Sequence, residues 1–352
     1  MGSVIVGTGA GIPEQVVTNH DLARIMDTTD EWVVSRSGVH ERRFAPPGTG
    51  SSDLAAEAVT AALADAGVDP GEVDALITAT MTPDRYAPGI AGAVQHKAGL
   101  GHIGVFDLRA QCAGFLYGMD LADMLLATGR ARTVVVVGAE VHAGYLPWGD
   151  SWEVVLGRSD GPISEEQRRI NDETRGWAIL FGDGAGAMVL QAGEADEGIL
   201  ASTIHTDGEH DELIVVPGLG FTHRPFADAA QIAAGLHLPR MDGGGLFRMA
   251  VRLMPEAVET VLRRIDRKTG DLDLVVAHQA NGRIVEAVGR RLEIDPGKVP
   301  MNVGRYGNTT AATIPLLFHE CRQEGMVPSG SLVAFTAFGA GAHWGAIAYQ
   351  QP

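Results

Sequence analysis

Only two cysteines occur in 352 residues, Cys112 and Cys321, which leaves no disulfide framework and points to a reducing compartment. Basic residues are outnumbered 27 to 44 by acidic ones, and a net charge of −17 removes the basic surface that nucleic acid requires. No apolar run reaches the length of a membrane span. The opening "MGSVIVGTGAGIPEQ" has no basic n-region and too short an apolar stretch for a signal peptide. These absences lead us to expect a cytoplasmic protein with neither nucleic acid nor membrane as partner. Charged residues are scarce as well, 20% against 45% hydrophobic, which describes a globular chain with a sizeable core. Its length suits one large domain or two fused halves.

What is present is an alternation of short β-branched runs with longer amphipathic ones, the pattern of an α/β fold. "VDALITAT" (73–80), "IGVFDL" (103–108) and "TVVVVGAE" (133–140) read as strands whose continuous apolar character predicts cover on both faces. "SSDLAAEAVTAALADAG" (51–67) has helical spacing, a Ser/Asp start and a glycine stop. "CAGFLYGMDLADMLLATG" (112–129) is apolar nearly all round and predicts an internal helix. The C-terminal half replays the order. "LDLVVAHQA" (272–280) resembles the strand at 73–80, "VPMNVGRYGNTTAATIPLLFHE" (299–320) repeats strand, turn and buried helix, and "SLVAFTAFGAGAHWGAIAYQ" (331–350) closes the sheet. We therefore expect two similar halves about a pseudo-twofold axis, 1–190 and 191–352, with Cys112 and Asn308 at equivalent places. Residues 143–172, polar and carrying Trp148 and Trp152, read as an inserted excursion.

A cysteine attacks as its thiolate, and the free N–H groups of a helix N-terminus lower its pKa. Cys112 is predicted there, whereas Cys321 sits mid-helix. His278 follows the apolar strand "LVVA" and emerges at a sheet edge, with Asn281 nearby and Asn308 downstream in "YGNTTAATIP". Cysteine, histidine and asparagine together can form an acyl-thioester and stabilise an enolate or oxyanion on a second substrate. The glycine-rich "FGAGAHWG" (338–345) can bring a backbone N–H close to the thioester oxygen. Three other signals are weak. "GTGAGI" lacks the third glycine of a dinucleotide loop, "FGDGAGA" lacks a P-loop ending, and "HTDGEHDE" (205–212) matches no metal-ligand spacing. Neither a metal nor another cofactor is expected.

"IPEQVVTNHDLARIMDTTDEWVVSRSGVHERRFA" resembles the opening of the β-ketoacyl-acyl carrier protein synthase III family, within the thiolase-like superfamily. "CAGF", "ILFGDGAGA", "HQANGRI", "YGNTTAATIP" and "FGAGAHWG" follow in that family's order, over essentially the whole chain except the segment at 143–172. The resemblance implies a thiolase-like fold of duplicated βαβαβαββ halves in five αβαβα layers, assembled as a homodimer. It implies that Cys112 accepts an acyl group from acyl-coenzyme A. His278 and Asn308 would then activate malonyl-acyl carrier protein for decarboxylative condensation, with the backbone N–H groups of Cys112 and Ala340 as oxyanion hole. Trp32, Arg36 and Arg175 match the residues that hold coenzyme A. Arg248, Arg283, Arg290 and Arg291 fall at or near the carrier-protein docking positions, a local basic patch that would steer an acidic partner.

Two departures from the family pattern stand out. Ala87 in "RYAPG" replaces a bulky pocket-wall residue, which predicts a primer larger than acetyl. His343 stands where threonine is usual, and we expect it to be structural. With the excursion at 143–172 it opens two alternatives: an acyltransferase of specialised metabolism, moving the acyl group to a hydroxyl or amine or joining two acyl chains, and an inactive partner subunit. The intact Cys112, His278 and Asn308 count against the second.

Overall fold

The computed structural model describes residues 2–194 and 196–352. The alternating runs resolve into two mixed sheets. One has the strand order Ser3–Gly11, Gly184–Ala192, Thr133–Glu140, Ala75–Ala79, Gly104–Leu108; the other runs Gly198–Thr206, His343–Gln350, Leu332–Gly339, Leu274–Ala277. In each, a parallel pair (75–79 with 133–140, 274–277 with 332–339) is extended by two antiparallel neighbours. The repetition legible in the sequence is thus a repetition of topology.

Between the sheets lie the helices Gly114–Ala127 and Thr313–Gln323. Phe115, Leu116 and Met119 of the first, and Ile314, Leu317 and Phe318 of the second, are buried among Ile77, Val134 and Val136 of one sheet and Val276, Val333 and Phe335 of the other. Each such side chain contributes about 1.5–3 kcal/mol on burial, which explains why these helices are apolar nearly all round. The helix Ser51–Ala66 covers the outer face of the first sheet, and Gly243–Arg264 with Gly282–Arg291 cover that of the second. The result is the five-layered αβαβα thiolase-like fold. "GTGAGI" finds its explanation here, inside the strand Ser3–Gly11. A Cβ on Gly7, Gly9 or Gly11 would lie 2.4, 2.3 or 2.2 Å from the carbonyls of Ala62, Ala58 or Leu54. These glycines let a strand press against one stripe of a helix; they form no nucleotide loop.

Two expectations fail. Residues 299–302 form no strand, so the second sheet has four strands where the first has five. The strand Gly104–Leu108 is not covered on both faces: it is a sheet edge, with Val105 and Phe106 36% and 38% exposed.

The segment 143–172 contains the helix Trp152–Val155 and the start of Glu165–Ala178. It does not behave as a detached excursion. Trp148 is 8% exposed, donates its indole N–H to Ala143 O at 2.8 Å, and packs 5.3 Å from the ring of Phe44. Arg24 donates to Val154 O and Ser159 O, and Asn171 to Ile25 O, so the segment clamps residues 19–30. Replacing Trp148 with alanine is expected to cost about 3–5 kcal/mol in denaturant unfolding; a loss below about 1 kcal/mol would mean that the segment is a dispensable flap.

Candidate active site

The turn that carries Cys112 is built under strain. Gln111 has φ of 49°, the tight turn Gln111–Ala113 follows, and the helix Gly114–Ala127 begins at once. A non-glycine residue at positive φ costs about 1–3 kcal/mol and persists where its surroundings hold it. Here the end of strand Leu332–Gly339 does so: a Cβ on Gly339 would lie 2.8 Å from the backbone N of Cys112 and 3.0 Å from that of Ala113. The second half repeats the device, with Thr310 at φ 44°, the turn Thr310–Ala312 and the helix Thr313–Gln323. This register corrects the expected symmetry. The counterpart of Cys112 is Ala311, and Asn308, two residues before the strained position, corresponds to Arg109.

Cys112, His278 and Asn308 nevertheless line one cavity of about 130 Å³, with Met254, Ile284 and Phe338 as apolar walls. His278 leaves the strand Leu274–Ala277 with its N–H on Thr336 O at 2.8 Å. Its Nδ1 lies 2.7 Å from Thr313 Oγ1, which is itself 2.9 Å from Thr310 O, so one hydroxyl hydrogen serves either acceptor. His278 Nε2 is buried and without a partner among the described residues. Asn308 is pinned through its backbone to Leu180 O and Gly182 N, and its Oδ1 accepts from Thr310 N at 2.8 Å. That leaves the amide N–H₂ of Asn308 to donate.

Burial dictates the charges. It lowers His278 to about 3, so the imidazole is neutral at ordinary pH. It pushes the Cys112 thiol up to about 12, assisted by the charge of Glu140, while the residue's own backbone N–H pulls weakly the other way. Burial therefore works against the lowering expected from the helix N-terminus. Glu140 is fully buried and itself pushed up to about 7, and it does not line the cavity of Cys112, His278 and Asn308. Its carboxylate accepts from Met81 N, Thr82 N and Thr82 Oγ1. Glu140, Thr313 and Arg109 escaped the sequence reading. A threonine one turn past "YGNTT" was the available signal for Thr313.

The other predicted residues divide. The indole of Trp32 carries two guanidinium groups, Arg36 at 4.4 Å and Arg175 at 4.7 Å from its centroid. Asp27 holds Arg175 through its carbonyl. A neighbouring cavity runs along Trp177, Leu238, Arg240 and Met241 toward the catalytic one, which shares Met241. Ala340 lines a further cavity, with Met81, Gln111, Tyr145 and Arg109. Ala87 does not join the catalytic cavity of its own chain: it is exposed, and Tyr86 beside it packs on Phe221 and Phe226. Arg248 and Arg283 are exposed on the two outer helices, with Arg283 5.8 Å from the ring centroid of Phe247. Arg290 and Arg291 are ion-paired with Glu286 and Glu256 at 3.5 and 3.6 Å. His343 bonds Thr206 Oγ1 at 2.8 Å beside Tyr117, outside the catalytic cavity.

Comparison with known proteins gives a consistent result. A family model described as 3-oxoacyl-[acyl-carrier-protein] synthase III matches residues 106–161 and 164–208, and its C-terminal companion matches 262–351. The first range holds Cys112 and the second holds His278 and Asn308. The segment at 143–172, expected to fall outside the likeness, lies inside it apart from residues 162–163. A β-ketoacyl-[acyl-carrier-protein] synthase III of Symbiobacterium thermophilum is 40% identical over 98% of this chain and 96% of its own. The crystal structure of 3-oxoacyl-[acyl-carrier-protein] synthase III from Aquifex aeolicus superposes with a TM-score of 0.84 at 37% identity, covering 99% of this chain and 100% of that one. The priming β-ketosynthase of the R1128 polyketide pathway gives 0.84 at 29% identity, covering 100% and 97%.

Because burial holds the thiol protonated, alkylation of Cys112 by iodoacetamide should rise about tenfold per pH unit from pH 7 to 9 without levelling, read by peptide mass mapping. A plateau within that range would show a lowered thiol pKa and overturn the assignment.

Proposed function

The chain belongs to the 3-oxoacyl-[acyl-carrier-protein] synthase III family and is an acyl-transferring condensing enzyme; from that premise we propose that Cys112 is its nucleophile and malonyl-acyl carrier protein its acceptor. The observation that carries the proposal is the shared cavity of Cys112, His278 and Asn308, with Nε2 of His278 unpartnered in it. Cys112 Sγ attacks the carbonyl of an acyl-coenzyme A, the backbone N–H groups of Cys112 and Ala340 hold the oxyanion, and coenzyme A leaves as its thiol with the cysteine's proton. Malonyl-acyl carrier protein then loses carbon dioxide. With the Thr313 hydroxyl donating to Nδ1, Nε2–H of His278 joins the Asn308 amide in stabilising the enolate oxygen. The enolate carbon attacks the acyl-cysteine, a carbon–carbon bond forms, and the released Cys112 sulfur takes a proton from solvent. Loss of carbon dioxide supplies the electron pair, so neither a carboxylate base nor a metal is called for.

The stacked Trp32, Arg36 and Arg175 suit an adenine nucleotide with its phosphates. Arg248 and Arg283, exposed in an acidic chain, suit an acidic carrier protein. A primer larger than acetyl finds its support in the cavity beyond Ala340, in place of Ala87. The open edge strand Gly104–Leu108 supports a homodimer, in which a second copy would cover Val105 and Phe106.

Intact-mass measurement across a panel of acyl-coenzyme A thioesters should show an acyl adduct that Cys112→Ala abolishes. Malonyl-acyl carrier protein should then release carbon dioxide, more slowly as salt screens the arginines. An adduct without carbon dioxide release would redirect the acyl group to a hydroxyl or amine; no adduct with any thioester would make the chain an inactive partner. Sedimentation is expected to give a dimer, and a monomer at micromolar concentration would remove the edge-strand pairing.

A further inference from the structure

The duplication leaves one residue unexplained. Arg109 occupies, in the first half, the place that Asn308 occupies in the second, two residues before the strained position of the turn. Asn308 faces the catalytic cavity. Arg109 lines two other cavities, which share it with Met81 and Tyr145. The inner one begins at Ala340 and Gln111, the immediate neighbours of the nucleophile turn, and is roofed by Ile214, Val215 and Pro239. The outer one continues past Thr82, Tyr86 and Leu219.

Three observations give this space a chemistry. Arg109 is the single cation lining either cavity, and its guanidinium has no acceptor or carboxylate partner among the described residues. The one carboxylate there, Asp84, is already bonded to the backbone N–H and hydroxyl of Ser52. Gln111, beside Cys112, makes no side-chain hydrogen bond among the described residues, which leaves its amide N–H₂ to donate. Finally, the field of Arg109 reaches Tyr145: burial and then Glu140 push that phenol up to about 12, and Arg109 pulls against them. Arg109 is exposed in the chain, so water serves its guanidinium; an alkyl primer entering this space would displace that water and return no hydrogen bond, whereas a carboxylate would replace it.

We propose that this space takes the distal end of the primer and that Arg109, with the amide of Gln111, reads an anionic group there, so that the preferred acyl donor is the monothioester of a dicarboxylic acid. This rests on the reading of Cys112 as the residue acylated. Recognition is by a charge-assisted, bidentate bond between guanidinium and carboxylate. The chain between the thioester and that carboxylate lies against Met81, Val215 and Pro239.

The test compares hexanoyl- and adipyl-coenzyme A, donors of equal chain length that differ in a terminal carboxylate, by the rate of Cys112 acylation in the full-length protein. The adipyl-to-hexanoyl ratio should exceed about ten in the wild type, fall about tenfold or more in Arg109→Ala, and recover in part in Arg109→Lys. A wild-type ratio of one or less, or a ratio that Arg109→Ala leaves alone, overturns the inference while acylation by hexanoyl upholds the function. No adduct from either donor overturns both. Conversion of a dimer to a monomer by Arg109→Ala, with the ratio unchanged, would make Arg109 a subunit contact and overturn the inference.

Discussion

The reaction centre depends on backbone meeting backbone without a side chain between. Gly339, at the end of a strand in the second half, touches the turn Gln111–Ala113 of the first. Gly138, in a strand of the first half, touches the turn of the second: its Cβ would lie 2.3 Å from Ala311 O. Each sheet thus braces the strained turn of the other half. The contact is steric and leaves no tolerance, which is why Gln111 and Thr310 can be held at positive φ. It also places Cys112 and the strand carrying His278, from opposite halves, against one cavity. Neither half contains the site alone.

The same close packing sets the electrostatics. Cys112 and His278 are buried, so the thiol stays protonated and the imidazole neutral. A thiolate–imidazolium pair would be a poor resting state here, because burial penalises both ions. Condensation by decarboxylation avoids the need for one. Negative charge arises on substrate oxygens only as bonds change, where N–H groups already in position stabilise it without reorganisation. The carboxylates nearest the site fit this logic. Glu140 and Asp183 are buried and raised to about 7, yet each is saturated with backbone N–H donors and serves to fix loops.

Much of this was legible in the sequence because it follows from periodicity and from short motifs. The alternation of apolar runs gave the layers, and "CAGF", "HQAN" and "YGNTTAATIP" located Cys112, His278 and Asn308. What escaped depends on geometry that no single segment encodes. The edge strand 104–108 has the composition of a buried strand, yet in the chain it has a neighbour on one side only. At 299–302 the apolar residues part ways: Val299 is buried against the helix Gly282–Arg291 while Met301 is 48% exposed, and neither pairs with a strand. The tryptophans at 148 and 152 read as part of an inserted excursion and instead pack with Leu22, Ile25, Met26 and Phe44 in one core cluster, Trp148 buried and Trp152 partly so. Ala87 was assigned to the acyl pocket by motif alone, and its cis bond to Pro88 lies in an exposed loop. The thiol pKa was inferred from one helix terminus, a local cause, when a global one, burial, outweighs it.

Duplication explains why the centre is divided as it is. Two turns of the same construction face each other across the pseudo-twofold axis, and a chain with identical residues in both would carry two nucleophiles and no group to activate the second substrate. The sequence resolves this by opposite choices at paired positions. Cys112 is answered by Ala311, which is small enough to let the turns approach, and Asn308 is answered by Arg109. Asparagine at one of these positions can donate to a developing oxyanion without adding charge to a cavity that must stay neutral. Arginine at the other adds a charge, and it does so at an exposed position that lines a different cavity from the one His278 lines. On the reading proposed above, one position would serve bond making and its mate would be free to serve selection.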